Sequence, residues 1–359
     1  MHSVVKPELL AHQSRPVQWL LLLVISAIFA TLLEIVHLPA ALLLGPMLAA
    51  IIAGTNGATI RPKRIVFMAA QAIVGCLIAM SIRPEIFASF LAEWPLFLGI
   101  VLATLAASSL LGYLISRWKV LPSTTAVWGS TPGAASAMVL MADAFGADSR
   151  LVAFMQYLRV ILVSVTAAVI ARLWVDTSGV AVPQIVWFPL LDGQAFGTTF
   201  AVAAVGAGLA RLLRVPAGTF LGPMLLGTTL HLGLDVELQL PQWLLAVSYA
   251  VIGWSIGLNF TRTILRHAAR ALPQVLASIV ALVAFCAALG FALSRTLGID
   301  PLTAYLATSP GGMDSVAIIA AASNRVDLSF VMALQMARFL VVLVVGPPLA
   351  RLLARRVGD

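Results

Sequence analysis

Proline and glycine recur in the same order in two places, inside a chain otherwise built of long apolar runs. Leu38–Leu48 reads LPAALLLGPML and Val215–Leu225 reads VPAGTFLGPML; Ser130–Ala135 (STPGAA) returns as Thr308–Met313 (TSPGGM). The match extends past the motifs. Ala72-Ile73-Val74-Gly75 answers Ala250-Val251-Ile252-Gly253, and Gln156 with Arg159 answers Gln335 with Arg338. The copies are offset by about 178 residues, as Leu38 to Val215, Ser130 to Thr308 and Gln156 to Gln335 show. In a membrane protein, duplicated helix breakers mark a transporter-type scaffold whose working site lies where the copies meet.

That the chain is a membrane protein follows from composition. Hydrophobic residues make up 61% of it and charged residues 10%, too few polar groups to cover a globular surface. Apolar runs such as Trp19–Ile35, Phe90–Ile115, Leu151–Leu173, Leu272–Leu293 and Phe330–Leu353 approach or exceed the roughly 20 residues that cross a hydrocarbon core. Helices must be the spanning element, because a lipid-facing backbone has to satisfy its own hydrogen bonds and the alternation of a barrel strand is missing. The first run, although preceded by a short basic stretch, is long and leads into the duplicated motif, so it reads as an uncleaved helix. Cys76 and Cys286 lie inside apolar runs and read as packing residues.

The net charge of +8 is spread through short loops, as Arg61, Lys63 and Arg64, Arg117 and Lys119, and Arg262, Arg266 and Arg270. This is a topology signal and not a nucleic-acid surface. Each copy holds six apolar segments. If all twelve crossed, the basic 262–270 loop and the Arg211/Arg214 turn would face outward, against the positive-inside rule. If the Pro-Gly segments, Thr124–Met141 and Leu302–Ala320, enter and leave on one side, every strongly basic loop and both termini become cytoplasmic. The expected fold is thus an all-α polytopic membrane protein: two inverted repeats of about five spanning helices each, with one broken or re-entrant Pro-Gly element per repeat. Broken helices that do cross, with another segment failing to, satisfy the charge count equally. The expected organisation is a cytoplasmic tail (1–15), repeat 1 (16–174), a linker (175–183), repeat 2 (184–353) and a C-terminal tail (354–359).

The chemistry concentrates in the Pro-Gly segments. Pro132 and Gly133, and Pro310, Gly311 and Gly312, fall mid-segment, where proline removes a backbone donor and glycine disfavours helix. Freed backbone groups survive in lipid only against protein or a wet cavity. Ser130, Thr131 and Ser136, and Ser309, Asp314 and Ser315, supply polar side chains for such a pocket, and a half-helix starting after each glycine would turn an anion-favouring N-terminus inward. Gln156 and Arg159, like Gln335 and Arg338, stand at i and i+3 on one helix face. An arginine at that depth either faces the protein interior or snorkels to the interface. Asp314, whose counterpart is Ser136, is a candidate for proton or sodium coupling or, equally, for an ion pair with an arginine. Asp148 and its counterpart Asp327 read as caps of the following helix. The LPA-x4-GPM motifs most simply permit close helix packing, with a gating hinge as the alternative.

The duplicated GPM-L and [ST]-PG motifs and the Q-x2-R helices resemble the membrane AbrB family, over essentially the whole chain. This family, also described by an AbrB duplication and labelled in places an ammonia monooxygenase, is distinct from the small soluble AbrB-type DNA-binding regulators. The resemblance implies a bacterial inner-membrane, multi-pass protein near the cation/proton antiporter and anion transporter assemblage, connected in places with regulation of gene expression. Two functions stand. One is a secondary transporter of a small solute, an anion among the candidates, coupled to protons or sodium. The other is a membrane sensor or indirect regulator of gene expression. A monooxygenase would need a cluster of histidines or carboxylates around copper or iron, whereas the five histidines are dispersed. An enzyme and a cofactor are therefore not expected. The partners implied are the lipid bilayer, a small solute and a coupling ion; nucleic acid is not among them, and assembly as a homo-oligomer stays open.

Overall fold

The apolar runs resolve into helices in the computed structural model, which describes residues 10–35, 41–81, 94–118, 121–133, 135–174, 186–215, 217–311, 316 and 326–357. In chain order they are α1 (Arg15–Ile35), α2 (Ala41–Thr55), α3 (Arg64–Ser81), α4 (Trp94–Arg117), α5 (Ser123–Ser130), α6 (Ala135–Ala144), α7 (Ser149–Trp174), α8 (Gly193–Leu212), α9 (Gly218–Leu234), α10 (Gln242–Gly257), α11 (Arg262–Leu297), α12 (Pro301–Thr308) and α13 (Leu328–Val357). No strand occurs among the described residues. Among the described residues, five segments are long and apolar enough to cross a membrane: Arg15–Ile35, Trp94–Arg117, Gly193–Leu212, Arg262–Leu297 and Phe330–Leu349. Three shorter apolar helices accompany them, at Ala41–Thr55, Arg64–Met80 and Gln242–Gly257. The protein is a multi-pass helical membrane protein.

The chain forms two compact units, and their division cuts across the sequence repeats. The first unit comprises Met1–Ser81 with Ile185–His267, hence α1–α3 and α8–α10; the second comprises Ile82–Gln184 with Ala268–Asp359, hence α4–α7, most of α11, α12 and α13. Each unit thus takes the equivalent part of both repeats.

In the first unit, α2 packs against α1 and α10, and its sequence counterpart α9 packs against α8 and α3. Glycine makes these approaches possible. A Cβ at Gly253 on α10 would lie 2.8 Å from the carbonyl oxygen of Leu43 and 3.0 Å from the Met47 nitrogen on α2, while one at Gly75 on α3 would strike the Phe220 carbonyl oxygen and sit 3.3 Å from the Met224 nitrogen on α9. Gly45 meets the Ala30 backbone and Gly222 the Gly206 backbone in the same manner. The glycines of the GPM motifs are therefore packing positions, and Met47 and Met224 are buried beside them. Two polar anchors add direction. The Gln18 side chain accepts from the Thr59 N–H at 2.9 Å, and the Trp254 indole donates to Ser26 Oγ at 2.9 Å. Asp192 caps α8, accepting from the Gln194 N–H at 2.8 Å.

The second unit carries the Pro-Gly segments. α5 and α12, of eight residues each, are about 12 Å long by helical rise, too short to cross the hydrocarbon alone. They are held by longer helices: α5 by α4, α7 and α13, and α12 by α13 and α7. An apolar core of Phe97, Val101, Leu302, Leu306, Val331 and Leu334 fixes α12 and α13 against α4, with Phe97 and Phe330 edge to face at 5.3 Å.

Because the neighbours of Gly253 are backbone atoms, Gly253→Ala should destabilise the protein by about 1–3 kcal/mol through overpacking. Gly197→Ala, on α8 with nothing within 4 Å, should be neutral. Thermal midpoints of the two variants in detergent test this; equal midpoints would show that the helices separate to accept the methyl.

Candidate functional site

Proline and glycine interrupt the helix at both copies. α5 ends at Ser130; Thr131 is extended, with φ −66° and ψ 125°, Pro132 and Gly133 are non-helical, and helix resumes at Ala135. α12 ends at Thr308, and Ser309 is extended in the same way, with φ −56° and ψ 134°, followed by non-helical Pro310 and Gly311. Ser136 lies within the first turn of α6, so the first break is confined to the residues before it. Gly312, Asp314 and Ser315 lie outside the described residues.

A helix that stops inside a protein leaves its last carbonyls without intrahelical donors. The i, i+3 pairs supply them. The Gln156 amide donates to the carbonyls of Trp128 at 2.8 Å and Thr131 at 2.9 Å. Arg159 donates through one terminal nitrogen to the Thr131 carbonyl at 2.9 Å, and through the other to Gln156 Oε1 at 2.6 Å and, more loosely, to the Gly133 carbonyl at 3.4 Å. The second copy repeats this bond for bond. Gln335 donates to Leu306 at 2.8 Å and Ser309 at 3.1 Å; Arg338 donates to Ser309 at 2.7 Å, to Gly311 at 3.4 Å and to Gln335 Oε1. Gln156, Arg159, Gln335 and Arg338 are 0, 2, 1 and 5% exposed, so the arginines do not snorkel. Each also sets a positive charge at the negative end of a half-helix.

The turn before each clamp helix is held alike. Thr125 Oγ1 accepts from the Asp148 N–H, and Thr303 Oγ1 from the Asp327 N–H, both at 3.1 Å. Asp148 caps α7 through the Arg150 N–H at 3.0 Å, and Asp327 caps α13 through the Phe330 N–H at 3.0 Å. Asp148 also pairs with Arg150 at 2.8 Å. Partial burial works to raise its pKa, but the hydrogen bonds and charge of Arg150 outweigh this and hold the carboxyl below its ordinary value.

The breaks share one unit, and the short helix before each lies against the long helix that carries the other's clamp. A Cβ at Gly311 would sit 3.0 Å from Val163 Cγ1, one turn beyond Arg159 on α7, and a Cβ at Gly346 on α13 would sit 3.5 Å from the Trp128 ring on α5. Beside the first break is a recess lined by Gly129, Ser130, Met155 and Arg159, with Leu111 of α4 and the α11 face carrying Val275, Ser278, Ile279 and Leu282. Of the expected set, Ser130 and Arg159 line it; Thr131, Pro132, Gly133, Gln156, Ser309, Pro310, Gly311, Gln335 and Arg338 are not among its described walls. Among the described residues, several buried donors find no partner: Ser130 Oγ, Ser309 Oγ, and the Nε of both Arg159 and Arg338. Among the described residues, neither buried arginine pairs with a carboxylate; the ion pair seen there is Arg150 with Asp148.

A profile described as "Transition state regulatory protein AbrB" matches residues 42–354, which include both breaks and both clamps. The chain belongs to the AbrB family. It is 48% identical over 338 residues to a protein of Escherichia coli (strain K12) named "Putative regulator AbrB", covering 94% of this chain and 97% of that one. It is 27% identical over 286 residues to "Uncharacterized protein YhjN" of Bacillus subtilis (strain 168), covering 74% and 71%.

In this AbrB-family chain, two kinds of contributor escape a reading by motif. Thr125 and Thr303 sit at equivalent positions, so the repeat itself carried a signal for them. Ser278 did not, since its equivalent near Ile100 is apolar and only packing brings α11 to the first break.

Gln156→Ala and Gln335→Ala should each cost about 1–3 kcal/mol, the penalty of leaving buried carbonyls unpaired. Thermal denaturation of the two variants measures it, and wild-type midpoints would show that water replaces the amide. The Asp148 cap has a depressed carboxyl pKa, so its contribution is full above about pH 4 and is lost as pH falls further. Asp148→Asn should flatten that acid limb of the midpoint-against-pH curve while leaving the rest in place.

Proposed function

We propose that this protein is a secondary transporter of a small anionic solute in the bacterial inner membrane, driven by protons or sodium. The observation that carries the reading is the pair of broken helices, each clamped by a buried glutamine and arginine, with no carboxylate opposite either guanidinium among the described residues. Interrupted helices with exposed backbone poles are how transporters hold ions away from water. Guanidinium groups that face no carboxylate among the described residues and keep a spare N–H favour negative charge.

On this reading the two repeats are inverted, ten helices cross, and α5–α6 and α12 belong to elements that do not cross alone. The reciprocal glycine contacts of α2 with α10 and α9 with α3 support a two-fold relation between the copies. The charge distribution supports placing both termini in the cytoplasm. Asp314 is the coupling carboxylate, or else the partner of an arginine. The regulator named among the relatives fits as a consequence of transport: a protein that sets the internal level of a solute alters whatever reads that level.

Reconstitution decides it. Purified protein in liposomes should take up labelled anions from a panel when a pH or sodium gradient is imposed, and stop when the gradient is collapsed. Asp314→Asn should abolish pH-driven uptake in a folded protein if it carries the coupling proton; as an ion-pair partner it should lower the thermal midpoint instead. Thr263→Cys should be labelled from the cytoplasmic side. Gradient-independent silence across the panel, or labelling of Thr263→Cys from outside only, would overturn the reading.

A further inference from the structure

α11 is longer than a membrane needs. Its 36 residues run about 54 Å by helical rise, against a hydrocarbon core of about 30 Å. Charge decides which part stays outside. From Ala271 to Ser294 the helix carries none, and Arg295 closes that stretch with its guanidinium over the Phe291 ring, 5.0 Å from the centroid. The turns before it hold Arg262, Arg266 and Arg270, at every fourth position. With the core edge at Leu272, Arg270 stands about 3 Å beyond it, Arg266 about 9 Å and Arg262 about 15 Å. The headgroup layer on one side is about 5–8 Å deep. Arg270 and, on its flexible stem, Arg266 therefore reach it, and Arg262 does not.

The three arginines also differ in their partners. Arg262 donates through Nε to the Thr55 carbonyl, at the end of α2, at 3.0 Å. Arg266 and Arg270 are exposed, and among the described residues neither meets a carboxylate. The chain itself holds no carboxylate side chain from Leu238 to Ile299. Four residues apart, the two guanidinium groups stand one above the other on one face, nearly opposite the buried Ala268. Like charges at that spacing are unfavourable on a helix, and an anion between them removes the cost. Their planar forks fit a phosphate.

The same face continues into the core. Pro273, Ala277, Val280 and Ala284 follow at helical spacing and are all exposed, Val280 by 62%. On the side turned to the protein, Ala271, Val275, Ile279 and Leu282 are buried. The exposed face thus sets two cations at headgroup depth above a smooth apolar strip at acyl-chain depth. Free phosphate would use the cations alone, and an acidic peptide could not reach the strip within the hydrocarbon. A phospholipid of net negative charge uses both.

We infer that the Arg266–Arg270 face of α11 binds an anionic phospholipid, its phosphate held by both guanidiniums and its acyl chains lying along Ala277, Val280 and Ala284. Because the protein-facing side of α11 brings Val275, Ile279 and Leu282 to the recess at the first break, a lipid seated there steadies that wall.

Native mass spectrometry of the full-length protein in detergent, titrated with dioleoyl phosphatidylglycerol, tests this. A saturable adduct is expected, at least about tenfold tighter than that of dioleoyl phosphatidylcholine. Arg266→Gln and Arg270→Gln should each weaken it about fivefold and together more than about tenfold, with the thermal midpoint retained because both side chains are exposed. Arg262→Gln, and the charge-matched pair Arg211→Gln/Arg214→Gln, should leave it unchanged. If the double variant at 266 and 270 fails to insert, the two single variants decide. Equal affinity for phosphatidylcholine, unchanged affinity in the folded 266 and 270 variants, or as large a loss in the Arg211→Gln/Arg214→Gln pair would overturn the assignment. Displacement of the lipid by excess inorganic phosphate would make this a free-anion site, and a lipid-free dimer that dissociates in the 266 and 270 double variant would give the face to a second copy; either result overturns it.

Discussion

Everything particular to this protein depends on backbone carbonyls that have lost their helix. Where α5 and α12 stop, the carbonyls of Trp128, Ser130, Thr131 and Gly133, and of Leu306, Thr308, Ser309 and Gly311, need donors in an apolar setting that offers little water. A glutamine amide and an arginine guanidinium on the next long helix provide several N–H groups in a fixed fork. The cost of burying each arginine is offset by those bonds and by the negative pole of the half-helix it faces. Remove the carbonyls and the arginines have no reason to be there; remove the arginines and the breaks cannot stay dry.

The same account explains why the motif takes the form it does. Proline lacks the N–H that would otherwise continue the helix, the extended Thr131 or Ser309 before it turns its carbonyl outward, and glycine lets the chain pass close to a neighbouring helix. Glutamine and arginine at i, i+3 then meet two successive carbonyl levels of one helix end. Threonine at 125 or 303 and aspartate at 148 or 327 fix the turn, so the clamp helix begins at a defined distance from the break. Within the two Pro-Gly breaks and their clamps, local chemistry and packing agree, except that the Ser130 and Ser309 hydroxyls and both guanidinium Nε atoms find no partner among the described residues. Such leftovers concentrate at functional sites.

Close packing by glycine governs the other unit. Gly45, Gly75, Gly222 and Gly253 each bring helix backbones together where any side chain would collide. In lipid, where apolar surface gains little from association, contact of this kind is what holds helices in one arrangement. The GPM motifs, read from sequence as either packing or hinge, are seen performing the first role.

How much of this was legible in the sequence follows from range. Membrane character, helical class, the position of both breaks, the equivalence of the copies and the capping by Asp148 and Asp327 are consequences of composition and of interactions within a few residues, and the sequence by itself determined them. That Gln156 and Gln335 share a face with their arginines was also there, in the i, i+3 spacing. What faces they meet was not, because a hydrogen bond from Arg159 to Thr131 or from Arg338 to Ser309 joins residues a whole helix apart. The sequence suggested a cavity formed by both breaks; only the tertiary structure put α11, with an unannounced Ser278, beside the first. Likewise it decided that each compact unit takes equivalent helices from both copies, since a repeat in sequence records an ancestry of segments, while the glycine contacts and buried carbonyls decide which segments can close against each other.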